Sequence, residues 1–304
     1  MKILITGISG MLGIDLYQTL REEYEVTGLD RRDFPCSPSP SVNKIDITDL
    51  EAVKELFSRL TPHFVIHAAA YTDVDGCEKD ADKAYKVNAL GTRNIALACQ
   101  KLDIPLLYMS TDFVFRGDKE IPYDEFDEPA PMNIYGKSKL AGESYIKSFL
   151  SRYFIVRSSW LYGRWGKNFV ATILKLAREK PVLKVVDDQV GSPTYTKDLS
   201  QQIKRLVATE LYGIYHITNS GRCSWYEFAQ EILKLAGIKG VKVAPITSEE
   251  LARPAPRPKF SVLENCCLRL SLGNGMRHWN EALKDYVEDH LDCRCQAQPK
   301  QSRP

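Results

Sequence analysis

No run of about 18 consecutive apolar residues occurs in the 304 residues of the chain, so nothing in it reads as a membrane-spanning helix. The opening stretch MKILITGISG is apolar, but too short and too rich in glycine for the core of a secretion signal. An excess of one sign of charge is also missing. Lys and Arg number 41 against 39 Asp and Glu, and a net of +2 gives no global field to draw in nucleic acid or an anionic membrane. Cys-x-x-Cys ladders are missing: of the eight cysteines only Cys266 with Cys267, and Cys293 with Cys295, lie close together. Even with His290 nearby, they do not make a structural zinc pattern. The expectation is a cytoplasmic protein with reduced thiols that binds neither membrane nor nucleic acid. No internal repeat is visible.

What is present is alternation. Short β-branched or Leu-rich runs at residues 2–6, 24–29, 64–68, 105–110 and 154–157 are separated by stretches of helical spacing. This predicts a parallel sheet covered on both faces, an α/β doubly wound fold of Rossmann type. Leu50, Val53, Leu56, Phe57 and Leu60 recur at helical spacing, and residues 81–100 continue the theme. Pro35, Pro38 and Pro40 mark a surface loop. Beyond Trp165 the pattern loosens into helices at 168–179, 224–235 and 276–291 and strands at 182–186 and 211–217. The predicted division is a first domain over 1–165, a smaller α/β domain over 166–292 with a return to the first near 187–197, and a disordered tail over 293–304.

The chemistry starts at the first turn. Gly7, Gly10 and Gly13 follow a strand and open a helix, where glycine permits a tight turn and helix-start amides can face a diphosphate. Ser9, Met11 and Leu12 fill that turn and belong to the same candidate dinucleotide site. Asp30 stands about 20 residues beyond the glycines, where a ribose hydroxyl is read in such folds. Arg31 and Arg32 follow it and suit a 2′-phosphate, so the pair predicts NADPH, with NADH usable. Asp46 and Ile47 belong near the adenine edge, and Ala68, Ala69, Ala70 and Tyr71 let the backbone approach a flat ligand.

Tyr135 and Lys139 are four residues apart on one helix face. An ammonium beside a phenol stabilises the phenolate and lowers its pKa from about 10, which makes Tyr135 a candidate acid at neutral pH. Together with the glycine turn, this pair resembles the short-chain dehydrogenase/reductase superfamily, in its extended branch acting on nucleotide sugars. The resemblance implies a catalytic set of Thr111, Tyr135 and Lys139. Lysine would also hold the nicotinamide ribose, and Asn88 matches the superfamily's helix asparagine.

A finer resemblance, over nearly the whole chain, is to the dTDP-4-dehydrorhamnose reductase family, carried by AAAYTDVD, STDFVFRG, PMNIYGKSKLAGE, RSSWLYG, DDQVGSPT and RPAPRPKFSVLEN. It implies an NAD(P)H-dependent oxidoreductase acting on a CH-OH group, with a dTDP-sugar substrate. Sugar contacts are implied at Val74, Thr111, Asp112, Phe113, Tyr135 and Trp160, and Arg257 is implied for the nucleotide phosphates or for the shape of the second domain. Some family members pair through magnesium and glutamates. Here Asp15 and Asp198 stand near those places, so magnesium is possible but unsupported by the sequence, and monomer and homodimer both stay open. The rivals are a 4,6-dehydratase, which would place Glu where Phe113 stands, a 4-epimerase, and a non-catalytic NADP-binding relative such as the β subunit of methionine adenosyltransferase.

Overall fold

The computed structural model describes residues 1–273 and 275–296, with the helical backbone alone over 290–296. Six strands run in parallel: β1 (Lys2–Thr6), β2 (Glu25–Asp30), β3 (Ser41–Lys44), β4 (Phe64–His67), β5 (Leu106–Thr111) and β6 (Tyr153–Ser158). Their spatial order is β3-β2-β1-β4-β5-β6, the doubly wound arrangement, and the strand Gly213–His216 adds a seventh beside β6.

Side chains alternate across this sheet, so each strand feeds two cores. Ile3, Ile5, Leu107, Met109, Phe154 and Val156 face Leu12 and Leu16 of α1 (Met11–Leu20). Leu4, Val65, Leu106, Tyr108 and Ile155 face Val53, Leu56 and Phe57 of α2 (Leu50–Leu60). With both faces covered, the strands read as continuous apolar runs, which is why they were legible. The helix α5 (Thr92–Lys101) covers the same face as α2, and the short α3 (Val74–Lys79) and α4 (Ala81–Tyr85) precede it in the chain. The long α6 (Ile134–Phe149) begins where the Asn133 side chain accepts from the Gly136 amide at 2.8 Å.

A second core gathers Tyr162, Val170, Ile173, Leu183, Phe228, Ile232, Trp279 and Tyr286. Its helices are Phe169–Glu179, Trp225–Leu235 and Trp279–Gln296, and its strands Val182–Val186 and Lys242–Ile246 pair in parallel. Among the described residues no helix is long and apolar enough to cross a membrane.

The structure departs from the sequence-based expectation at four places. The strand expected at 211–217 belongs to the first sheet, not to the second domain. It is preceded by the helix Thr196–Val207, whose Leu199 and Ile203 bury against the core that holds Leu16, so the pair completes a parallel crossover onto β6. The helix expected over 81–100 is broken by a π turn at Lys86–Gly91. β3 was not anticipated, because a half-exposed edge strand of sequence SVNK carries no apolar signal. Of the tail expected at 293–304, residues 293–296 continue the last helix, with no Pro or Gly to stop it, and 297–304 lie outside the described residues.

Beneath the sheet's carboxyl edge Glu143 of α6 takes two hydrogen bonds from Arg157 of β6, at 3.0 and 2.8 Å, and a third from Ser110 of β5 at 2.6 Å. Arg157 is 1% exposed and Glu143 fully buried. Replacing Arg157 by Met strands a buried carboxylate and is expected to cost about 3–5 kcal/mol, while adding Glu143→Leu returns most of it. Urea midpoints of the two variants test this.

Candidate active site

At the end of β1 the chain turns through Gly7 at φ +71°, with the Gly7 amide bonded to the Leu29 carbonyl at 2.8 Å. A Cβ on Gly7 would stand 2.8 Å from the Ala69 Cα, and one on Gly13 would stand 2.3 Å from the Gly7 carbonyl. The turn therefore packs backbone against backbone at the point where strand order reverses between β1 and β4. Gly10 caps α1 with no side chain, which leaves the first-turn amides for an anion. Leu12 and Ile47 bury their side chains in the cores.

Asp30 closes this turn from β2. One carboxylate oxygen accepts the Ser9 amide at 3.0 Å and the other the Arg32 amide at 2.9 Å, while the Ser9 hydroxyl donates to the Arg32 carbonyl. Asp30 is thus first a brace of the glycine turn, with lone pairs left for a further donor. Arg31 and Arg32 are 70% and 69% exposed; Arg31 reaches Asp46 at 3.3 Å and Arg32 reaches Asp30 at 3.6 Å.

The π turn aims Asn88 inward. Asn88 accepts from the Tyr71 amide at 2.7 Å, and donates to the Tyr71 carbonyl at 3.1 Å and to the Ser138 hydroxyl at 3.0 Å. Ser138 in turn donates to the Tyr135 carbonyl at 2.8 Å. One side chain so fixes both the loop after β4 and the start of α6, and a π turn at such a place is a common functional device.

Thr111 ends β5 and caps the short turn Asp112–Val114, donating to Asp112 Oδ1 at 3.0 Å. Asp112 is 3% exposed and its Oδ2 has no hydrogen bond of ordinary geometry. Burial pushes its carboxyl up to about 6, with the Ser261 and Thr111 hydroxyls opposing. Tyr135 meets Phe113 edge-on, ring centroids 5.8 Å apart, and also interacts with Thr111 and Asp112.

The expected lowering of the Tyr135 pKa is not found. Burial, and then the Asp112 charge, raise it above the ordinary phenol value, with only the Thr111 hydroxyl opposing. The Lys139 ammonium is directed elsewhere: it donates to the Met109 carbonyl at 2.7 Å, and burial brings its pKa down to about 7 against the pull of Glu143. Ser261, which faces Asp112, went unremarked in the sequence, although it lies within the stretch KFSVLEN.

Trp160 and Arg257 are held by other partners. Trp160 sits at φ +47° with its ring stacked 3.5 Å from Trp225 and pressed on Gly191, where a Cβ would meet it at 2.4 Å. Arg257 pairs with Asp75 at 3.0 Å beside Val74 on α3, and Arg253 joins at 3.2 Å. Both arginines line a groove of about 270 Å³ with Gln189 and Ser248. Asp15 accepts from Thr196, and Asp198 holds Arg277 at 2.9 Å and Asn219 at 2.8 Å. Both acids are consumed inside the fold, and no group of three or more His, Cys, Asp or Glu among the described residues could hold a metal ion.

Because folding raises the Asp112 pKa, the folded chain loses stability as pH rises from the ordinary carboxyl value of 3.8 to about 6, and carries the full loss above that. Below the ordinary value of 3.8 both states are protonated and nothing is lost. Asp112→Asn should therefore stabilise the protein at pH 8, on the order of 2–3 kcal/mol, and have little effect near pH 4. Thermal melts at the two pH values measure the difference.

The family profile described as RmlD substrate binding domain matches residues 1–291. The spore coat polysaccharide biosynthesis protein SpsK of Bacillus subtilis is 41% identical over 289 residues, covering 95% of this chain and 97% of its own. A crystal structure of a dTDP-4-dehydrorhamnose reductase from Clostridium acetobutylicum aligns with a TM-score of 0.90 at 44% identity, over 96% of this chain and 100% of that one. A second, from Bacillus anthracis in complex with NADP, aligns at 0.89 and 45% identity, over 95% and 99%. With the glycine turn, the Thr111 strand end and the Tyr135–Lys139 helix in place, the chain belongs to the RmlD substrate-binding domain family.

Proposed function

We propose that the protein is an NADPH-dependent reductase of the C4 ketone of dTDP-4-dehydro-L-rhamnose, yielding dTDP-L-rhamnose. The observation that carries this reading is the convergence of Thr111, Asp112 and Tyr135 at the carboxyl end of β5, on the sheet edge that also bears the glycine turn. The close relatives named as dTDP-4-dehydrorhamnose reductases support the substrate, and the NADP complex of one of them supports the cofactor.

The residues present suit a dinucleotide. Gly7 lets the turn close against the Ala69 backbone, α1 offers amides with no side-chain cap, and Arg31 and Arg32 are exposed beside Asp30 for a 2′-phosphate. Asp46, the alanines after β4, Tyr71 and Asn88 would line the rest, with Lys139 at the ribose. When bound, reduced nicotinamide supplies the hydride.

The chain's own residues do the rest. Tyr135 Oη gives its proton to the emerging alkoxide, and Thr111 Oγ1 hydrogen-bonds that oxygen. A phenol whose pKa is raised by burial keeps its proton until an alkoxide, more basic still, is there to take it, which is the state a reduction requires at its start. Asp112 Oδ2, which has no hydrogen bond of ordinary geometry within the described residues, accepts from a sugar hydroxyl and fixes the face of the ketone. Val74, Phe113 and Trp160 bound the sugar, and Arg257 serves the diphosphate end.

With enzymatically prepared dTDP-4-dehydrorhamnose, the wild-type protein should consume NADPH, and Tyr135→Phe should lower kcat by about 10²–10⁴-fold. Equal turnover by the two, or none by folded wild type, would sink the reading. Arg31→Ala and Arg32→Ala should each raise KM for NADPH by about tenfold or more while leaving KM for NADH nearly unchanged. Steady-state kinetics with both cofactors decides this.

A further inference from the structure

Lys139 keeps its ammonium out of water with no carboxylate of its own. It is 3% exposed, and among the described residues its ammonium donates to the Met109 carbonyl alone. Glu143, the next acid along α6, is already engaged by Ser110 and by both arms of Arg157. Beneath the ammonium lies the ring of Tyr108, with Nζ 4.1 Å from its centroid. Under that ring His67 of β4 is stacked at 5.5 Å and 28°.

The platform is fixed at both ends. Tyr108 is fully buried, its hydroxyl donates to the Lys139 carbonyl at 3.3 Å, and Gly142 leaves the hydroxyl its place, since a Cβ there would stand 2.4 Å away. His67 is bridged to Thr6 at 2.6 Å and to Thr92 at 3.0 Å. The Thr92 hydroxyl donates to the Asn88 carbonyl, so it accepts from His67 Nε2, and Nδ1 accepts from Thr6. The ring is neutral, its pKa held down to about 3 by burial and by the Lys139 charge.

The groups that face Lys139 are therefore few. Tyr135 and Glu143 share its helix, Tyr108 comes from β5 and His67 from β4, and Arg157 of β6 stands behind Glu143. Tyr135 and His67 are neutral, and the Glu143 charge is largely spent on Arg157. Beside the Met109 carbonyl and what is left of the Glu143 charge, the face of the Tyr108 ring is the feature that favours an ammonium over an amine there.

We infer that Tyr108 is a positioning residue for Lys139, its ring face, backed by the neutral His67, seating the ammonium and keeping it protonated. The catalytic use of that seat rests on the function proposed above; the seat itself does not.

The test is a titration that needs neither cofactor nor substrate. In protein labelled with ¹⁵N,¹³C-lysine, the Nζ signal of Lys139 is identified by its loss in Lys139→Arg and followed against pH by NMR. Tyr108→Phe, which keeps the ring, should leave the midpoint unchanged, and Tyr108→Leu should lower it by about one pH unit or more. Because Leu also changes the core packing, mono-, di- and trifluorophenylalanine at 108, nearly equal in shape, form the second series. Their progressively weaker ring faces should lower the midpoint stepwise. A flat fluorine series, or a Phe variant shifted as far as Leu, overturns the inference. In the loaded enzyme the alkaline limb of kcat/KM should move with the same order. If the NMR series shifts while wild type shows no turnover, the seat stands and the reductase reading falls.

Discussion

Between the carboxyl ends of β5 and β6 and the first turns of α6, the fold holds Asp112, Lys139, Glu143 and Arg157 out of water. Each must then be compensated or change its protonation. Glu143 and Arg157 compensate each other, with Ser110 completing the set. Lys139 and Asp112 do not pair, and their pKa values move toward neutrality from opposite sides, to about 7 and about 6. The ion pair beneath locks α6 onto the sheet without engaging Lys139 or Asp112.

This division explains which parts of the site were legible. Gly7, Gly10 and Gly13 declare themselves through spacing after a strand, and Tyr135 with Lys139 through helical register. Those are local signals, and the structure places these residues on the elements expected. The Tyr135 pKa was misjudged because side-chain aim is not local: Lys139 shares a helix face with Tyr135 yet turns toward β5. Asp30 shows the same limit. Its position followed from spacing, but its clasp on the Ser9 and Arg32 amides depends on how β2 meets the turn. The assignment of 211–217 to the second domain failed for a topological reason, since nothing in that run says which sheet edge is free.

Phe113 marks the border with related chemistries. Its ring meets Tyr135 edge-on, and the carboxylate that acts on the phenol is Asp112, held by Thr111. The structures of an epimerase and a dehydratase align with TM-scores of 0.83 and 0.84 at 23% and 18% identity, which speaks for the shared fold alone. The architecture by itself therefore does not set the reaction type.

The helix Thr196–Val207 and the strand Gly213–His216 carry a further consequence. The chain leaves the first core after β6, enters the second, returns for some twenty residues, and leaves again. The two cores are thus laced together by several crossings instead of being joined by one tether. A fragment ending near residue 165 would bare the flank of β6 and the outer surface of α1, so neither half is a self-sufficient module. Any movement of one core against the other must bend several strands of chain at once, which favours small concerted movements over the free swing of a single hinge.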